Sequence, residues 1–130
     1  MNQELQNNLS DRLQNFAVEI IKIVQALGKT FVGRKISGQL IDSLTSAGAN
    51  YEEACGAESR ADFIHKLQVV LKELRESLYW LRLILRAELM PVDELGGAIK
   101  EGGELANIIA KSIVTARKNK KGERVSVRMV

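Results

Sequence analysis

The chain has one cysteine, one proline, one histidine and one tryptophan in 130 residues. A single thiol, Cys55, rules out any intramolecular disulfide, and with it the disulfide-stapled scaffolds of small secreted domains. A reducing compartment, the cytoplasm, is therefore expected. The opening residues, MNQELQNNLSDRLQ, contain neither the basic nor the apolar region of a secretory signal. No run approaches the roughly 18 uninterrupted apolar residues of a membrane span. One proline and 5% aromatic residues disfavour a many-stranded sheet protein, in which aromatic and β-branched residues and turn-forming prolines are frequent.

What is abundant is Leu, Ile, Ala, Glu, Lys and Arg, mostly side chains that lose little rotamer freedom in a helix. With 45% hydrophobic residues, the chain can build one contiguous core, so a single all-α domain is expected. Charge is distributed unevenly. The last fourteen residues carry six basic side chains (Arg117, Lys118, Lys120, Lys121, Arg124, Arg128) against Glu123, a local charge of +5, and the remainder carries −2. Residues 119–130 lack helical periodicity and are too short and charged to form a core, so they are expected to be a flexible basic tail on a domain spanning 1–118.

Four segments show apolar residues at three- and four-residue spacing, the mark of one buried helix face. In the first, about 10–27, these are Leu13, Phe16, Ala17, Ile20, Ile23, Val24 and Leu27. Ser10 or Asp11 is a candidate cap at its start, and Gly28 a candidate left-handed stop at its end. The second, about 31–54, carries Ile36, Leu40, Leu44, Ala47, Tyr51 and Cys55, breaks near Gly56, and has a Gly48 expected to pack against a neighbour. The third begins at Ser59, whose spacing to Asp62 resembles a capping box. It should reach about residue 88, with a seam of Phe63, Leu67, Leu71 beside Val70, Leu74, Leu78, Leu81 and Leu85. The fourth, about 92–118 after Pro91, shows Leu95, Ile99, Ala106, Ile109 and Ile113; the Gly96-Gly97 and Gly102-Gly103 pairs should make its first half the softest part of the fold. Short connections between four such segments imply an antiparallel up-down-up-down four-helix bundle.

Reactive groups are sparse. Asp62 and His65 stand three apart on one helix face, but a bundle di-metal centre needs two Glu-x-x-His pairs and further carboxylates. Cys55 would need a nearby base to act as a nucleophile and reads instead as a small core thiol. The glycine pairs follow no strand and precede no Gly-Lys-Ser/Thr, so they are not a phosphate loop. With no base, nucleophile and orienting group in a shared motif, the chain reads as a non-enzyme without cofactor or metal.

Away from its seam, the third segment shows two further stripes when each residue is advanced by about 100°. Lys72, Arg75, Tyr79, Arg82 and Arg86 fall on one flank. Val69, Glu73, Trp80, Leu83 and Ile84 fall on the side assigned as most distant from the seam, where a lone bundle would leave Trp80 and Leu83 in water. A contiguous apolar patch centred on tryptophan and rimmed by carboxylate has the composition of an assembly interface. The basic flank, with the tail, offers phosphate contacts, although Lys72 and Arg75 could instead pair with Glu76 and Glu73.

The ordered elements Gln39-Leu40, Ser43, Ser46, Asn50, Glu53, Phe63, Leu67, Lys72-Glu73, Glu76 and Tyr79-Trp80-Leu81 resemble a family of four-helix-bundle proteins. Its members are encoded by intervening sequences in bacterial large-subunit (23S) ribosomal RNA genes and are related to accessory variability proteins of diversity-generating retroelements. The match covers about residues 36 to 86. It departs at Ala54, where the family's Asn-x-x-Glu-Gly has glycine; Gly56 follows two positions later. The resemblance implies a ring-like homo-oligomer, commonly a pentamer, associated with RNA or DNA or with a nucleic-acid enzyme.

Together these readings predict an oligomeric bundle that binds nucleic acid through Lys72, Arg75, Arg82, Arg86 and the basic tail. The rival is an adaptor that presents its helices to a partner such as a reverse transcriptase.

Overall fold

The computed structural model describes residues 3–119, which form four helices: α1 (Gln3–Leu27), α2 (Phe31–Cys55), α3 (Arg60–Arg86) and α4 (Val92–Lys118). Each is about 40 Å long at 1.5 Å per residue, and turns at 28–30, 56–59 and 87–91 join them. Each helix packs on its sequence neighbour and α1 closes against α4, giving the expected all-α up-down-up-down bundle. The tightest packing is between α2 and α3, the loosest between α1 and α4. No helix among the described residues is long and apolar enough to cross a membrane.

The helix ends follow from local hydrogen bonding. At the start of α2, Thr30 Oγ1 accepts from the Gly33 N–H at 3.0 Å. Ser59 Oγ accepts from the Asp62 N–H at 3.0 Å, the forward half of the anticipated capping box. α2 ends at Cys55, with Gly56 as its C-cap. Gly28 is not left-handed; among the described residues the only positive φ is that of Glu88, at 58°. There the Leu89 N–H bonds to Ile84 O and the Glu88 N–H to Leu85 O, each at 3.1 Å, a Schellman ending with glutamate where glycine is usual. That motif stops α3 at Arg86, two residues short of the expected end, before Pro91 caps α4.

α1 starts seven residues earlier than expected. Its buried stripe continues through Gln6 and Leu9, and the polar Gln6 concealed the repeat in the sequence. Tyr51 Oη donates to the Gln6 carbonyl at 3.2 Å, tying this first turn to α2. Ser10 Oγ bonds to Glu52, so it bridges helices rather than capping one.

In α3 the fully buried positions are Phe63, Leu67, Val70, Leu74, Ser77, Leu81 and Ile84, with Leu78 5% exposed; Leu71 and Leu85 are half-buried. The core therefore follows the heptad ladder 63-70-77-84 beside 67-74-81, and the predicted seam was displaced by part of a turn toward 71-78-85. Ser77 is the cause, since a polar residue in the middle of the ladder interrupts the apolar pattern. Its hydroxyl is not orphaned. Ser77 Oγ lies 2.9 Å from Ser43 Oγ across the α2–α3 seam and 3.0 Å from the Glu73 carbonyl, which satisfies a buried group that would otherwise be costly.

The glycines divide by environment. A Cβ on Gly102 would sit 2.9 Å from Leu78 Cδ2 and 3.0 Å from Phe16 Cζ, so this glycine lets α4 close over the core. Gly33 is tighter still: its Cβ would fall 2.0 Å from the Leu27 carbonyl. Gly48, expected to be packed, meets nothing within 4 Å and lines an open α1–α2 groove with Ala17, Leu44 and Thr45; Gly96 and Gly103 are equally unobstructed.

Candidate nucleic-acid interface

The exposed side of α3 is a single row. Lys72, Arg75, Tyr79, Arg82 and Arg86 are all exposed, and their three- and four-residue spacing keeps them in line over about 21 Å at 1.5 Å per residue. None of the four cations makes an ion pair among the described residues. The two carboxylates expected to pair with Lys72 and Arg75 hydrogen-bond to neutral donors instead. Glu73 accepts from Ser46 Oγ of α2 at 3.1 Å, and Glu76 accepts from Trp80 Nε1–H at 3.2 Å. Asn50 Nδ2 donates to Ser46 O at 2.9 Å and Ser46 Oγ at 3.2 Å, extending this polar seam.

The other predicted contacts lie apart from the row. Arg117 and Lys118 are exposed in the last turn of α4. That turn is level with the start of α3, because Arg60 Nη1 donates to the Ala116 carbonyl at 3.3 Å. Arg86 is therefore nearly a helix length, about 40 Å, from Arg117. Lys120, Lys121, Arg124 and Arg128 lie outside the described residues.

The residues expected to form an oligomer patch do not share one exposed face. Ile84 is fully buried in the subunit's own core, as its place in the 63-70-77-84 ladder requires. Trp80 and Leu83 are half-buried against that core, so the lone subunit does not leave them in water. Val69 is half-buried, and Glu73 is bonded to α2. Of the exposed apolar side chains, Leu5, Val18, Ile21 and Val114 are spread along α1 and α4, whereas the two most exposed, Phe31 (67%) and Val92 (61%), lie with Val32 and Leu89 at the end formed by the 28–30 and 87–91 turns. Nothing in the sequence signalled this, since Phe31, Val32 and Val92 open their segments without joining the apolar repeat and Leu89 lies in a connection.

Two other sets of ionisable groups join neighbouring helices. Arg12 of α1 grips Glu101 of α4 with two hydrogen bonds of 2.7 and 3.0 Å and reaches Glu104 at 3.3 Å; its pKa is raised chiefly by the Glu101 bond. Lys66 bonds to Glu53 at 2.6 Å between α3 and α2. Burial raises the Tyr51 phenol and the Cys55 thiol above their ordinary values, so Cys55 is a protonated thiol at neutral pH rather than an activated nucleophile. His65 and Asp62 are exposed, and no cluster of three His, Cys, Asp or Glu side chains that could hold a metal occurs among the described residues. A hollow of about 450 Å³ at the α3–α4 turn is lined by Leu85, Glu88, Leu89, Met90, Pro91 and Val92; Glu88 is its only ionisable side chain.

Fold and surface together define a helical-bundle protein with a row of cations on an outer helix face that form no ion pair among the described residues. The chain belongs to the 23S rRNA-intervening sequence protein family, whose profile it matches over residues 6–111. It is also similar to a crystal structure of a protein with unknown function from the S23 ribosomal protein family of Bacteroides thetaiotaomicron VPI-5482. The two are 37% identical with a TM-score of 0.75, over 81% of this chain and 97% of that one. No curated protein matches significantly.

Proposed function

We propose that this protein is a non-enzymatic bundle that binds nucleic acid by its phosphates, with Lys72, Arg75, Arg82 and Arg86 as the contact row. The observation that carries this reading is the absence of any ion-pair partner for these four cations among the described residues. Four cations aligned on one face without carboxylate partners produce a positive potential that a polyanion neutralises with release of counterions. Contacts of this kind position a strand without reading its bases. The family's name connects its members with 23S rRNA intervening sequences, which makes RNA the first ligand to try. Homo-oligomerisation belongs to the same proposal, with the half-exposed parts of Val69, Trp80 and Leu83 available to a second subunit.

The deciding experiment is a titration with random-sequence RNA and DNA at several salt concentrations. Binding whose logarithm falls steeply with the logarithm of salt supports the reading; binding that is absent, or indifferent to salt, refutes it. One observation favours a second reading, a protein adaptor: Phe31, Val32 and Val92 present exposed apolar surface at one end of the bundle. That reading gains if Phe31→Ser with Val92→Ser abolishes capture of a protein partner while nucleic-acid affinity is negligible.

A further inference from the structure

Tyr79 stands at the midpoint of the cationic row, seven residues from Lys72 and seven from Arg86, with Arg75 and Arg82 its nearest neighbours on the same face. It is 56% exposed although it is an aromatic residue. Its ring meets the Trp80 ring edge to face, with centroids 4.9 Å apart and planes at 77°. Trp80 is itself restrained, half-buried against the core and hydrogen-bonded through Nε1–H to Glu76. The phenol is thus a braced ring held out into solvent among cations, a place where neither core packing nor an internal ion pair accounts for it.

We propose that Tyr79 is a stacking platform for an unpaired base, and that the row therefore selects single-stranded over double-stranded nucleic acid. The inference rests on the phosphate-binding reading above and adds its substrate class. In a duplex, the faces of the bases are covered by their neighbours and only edges and backbone are accessible, so an exposed ring on a helix gains little from it. In a single strand a base can turn onto an aromatic face while the flanking phosphates meet Arg75 and Arg82. The row is long enough for this, since about 21 Å spans roughly six stacked nucleotides at about 3.4 Å each. Every base has a π-face, so the platform tolerates any sequence. The braced geometry also reduces the ordering cost on binding, because the ring has fewer orientations to lose.

The test uses the full chain and three ligands of equal length: an oligothymidylate strand, an abasic strand with the same phosphates, and a blunt duplex. Wild type should bind the oligothymidylate at least about 5-fold more tightly than the abasic strand, the lower end of what one base–aromatic stack contributes. Tyr79→Ala should abolish that difference and leave the salt slope and abasic affinity unchanged, and Tyr79→Phe should restore it. The emission of Trp80, the sole tryptophan, should respond to the base-bearing strand and not to the abasic one. Equal wild-type affinity for the base-bearing and abasic strands, or equal losses on both with Tyr79→Ala, would overturn the stacking role while leaving phosphate binding in place. Failure to bind any of the three ligands would remove the phosphate reading and the platform together.

Discussion

On the inward side of α3, polar atoms are partnered within the subunit: Ser77 with Ser43 and Glu73 with Ser46. On the outward side, Lys72, Arg75, Arg82 and Arg86 have no ion-pair partner among the described residues. One helix thus carries two surfaces under different constraints. Polar groups excluded from water must be satisfied or they cost stability, so the inward set fixes how α2 lies on α3. The outward cations are solvated and contribute little to folding, which leaves them available for a ligand. Most of the residues that carry the family resemblance, including Ser43, Ser46, Asn50, Glu73 and Trp80, serve the first surface; Lys72 and Tyr79 serve the second. Folding and binding should therefore be separable by substitutions a helical turn apart.

The largest effect tests the inward face. Leu74 is fully buried on the ladder shared by the predicted and observed seams, so Leu74→Ala should cost about 2–5 kcal/mol by loss of contacts and creation of a cavity. Denaturant unfolding measures it, and a variant as stable as wild type would mean that this face is not the core. Next is Ser77→Ala, which deletes the bonds to Ser43 and to the Glu73 carbonyl. Ser43 retains its bond to the Leu40 carbonyl at 3.1 Å, so the expected loss is smaller, about 0.5–1.5 kcal/mol. A loss above about 3 kcal/mol would show that the α2–α3 register depends on this one contact. For both variants, any nucleic-acid affinity should persist at temperatures where the protein remains folded.

The same contrast explains what the sequence made legible. The four helices and the outward row could be read because apolar and charged residues recur there without interruption, and solvent-facing positions need only spacing to be placed. Where a polar residue occupies a core position the pattern breaks. Gln6 concealed the first two turns of α1, and Ser77 displaced the α3 seam enough to put Ile84 on the wrong face and to overstate the exposure of Trp80. Tertiary hydrogen bonds make those positions tolerable, and no local rule contains them. The glycines show the same limit: Gly102 and Gly103 are adjacent in sequence, yet only the first has a neighbour that excludes a side chain.

A smaller effect, of opposite sign, is expected where the two faces of α3 end. Glu88 adopts φ 58° in the turn after Arg86, a conformation that costs a non-glycine residue about 1–2 kcal/mol. Glu88→Gly relieves that strain, while the looser unfolded chain returns about 0.5–1 kcal/mol of it. The net should be a stabilisation of about 0.5–1 kcal/mol, visible as a higher melting temperature. A lower melting temperature would indicate that the Glu88 side chain makes a supporting contact at the α3–α4 turn.

The smallest effect on stability should accompany the largest effect on binding. Arg75→Gln with Arg82→Gln removes the two cations flanking Tyr79. Neither breaks an ion pair among the described residues, and glutamine keeps comparable helix propensity, so the unfolding free energy should change by no more than about 0.5 kcal/mol. If these guanidiniums contact two phosphates of a single strand, the slope of log affinity against log salt should become shallower by about 1.4, at about 0.7 per contact. The measurement has two independent axes, melting temperature and salt slope. A melting temperature several degrees lower with the slope unchanged would reverse the assignment: the outward cations would then support the fold, and phosphate would have to be met elsewhere on the protein.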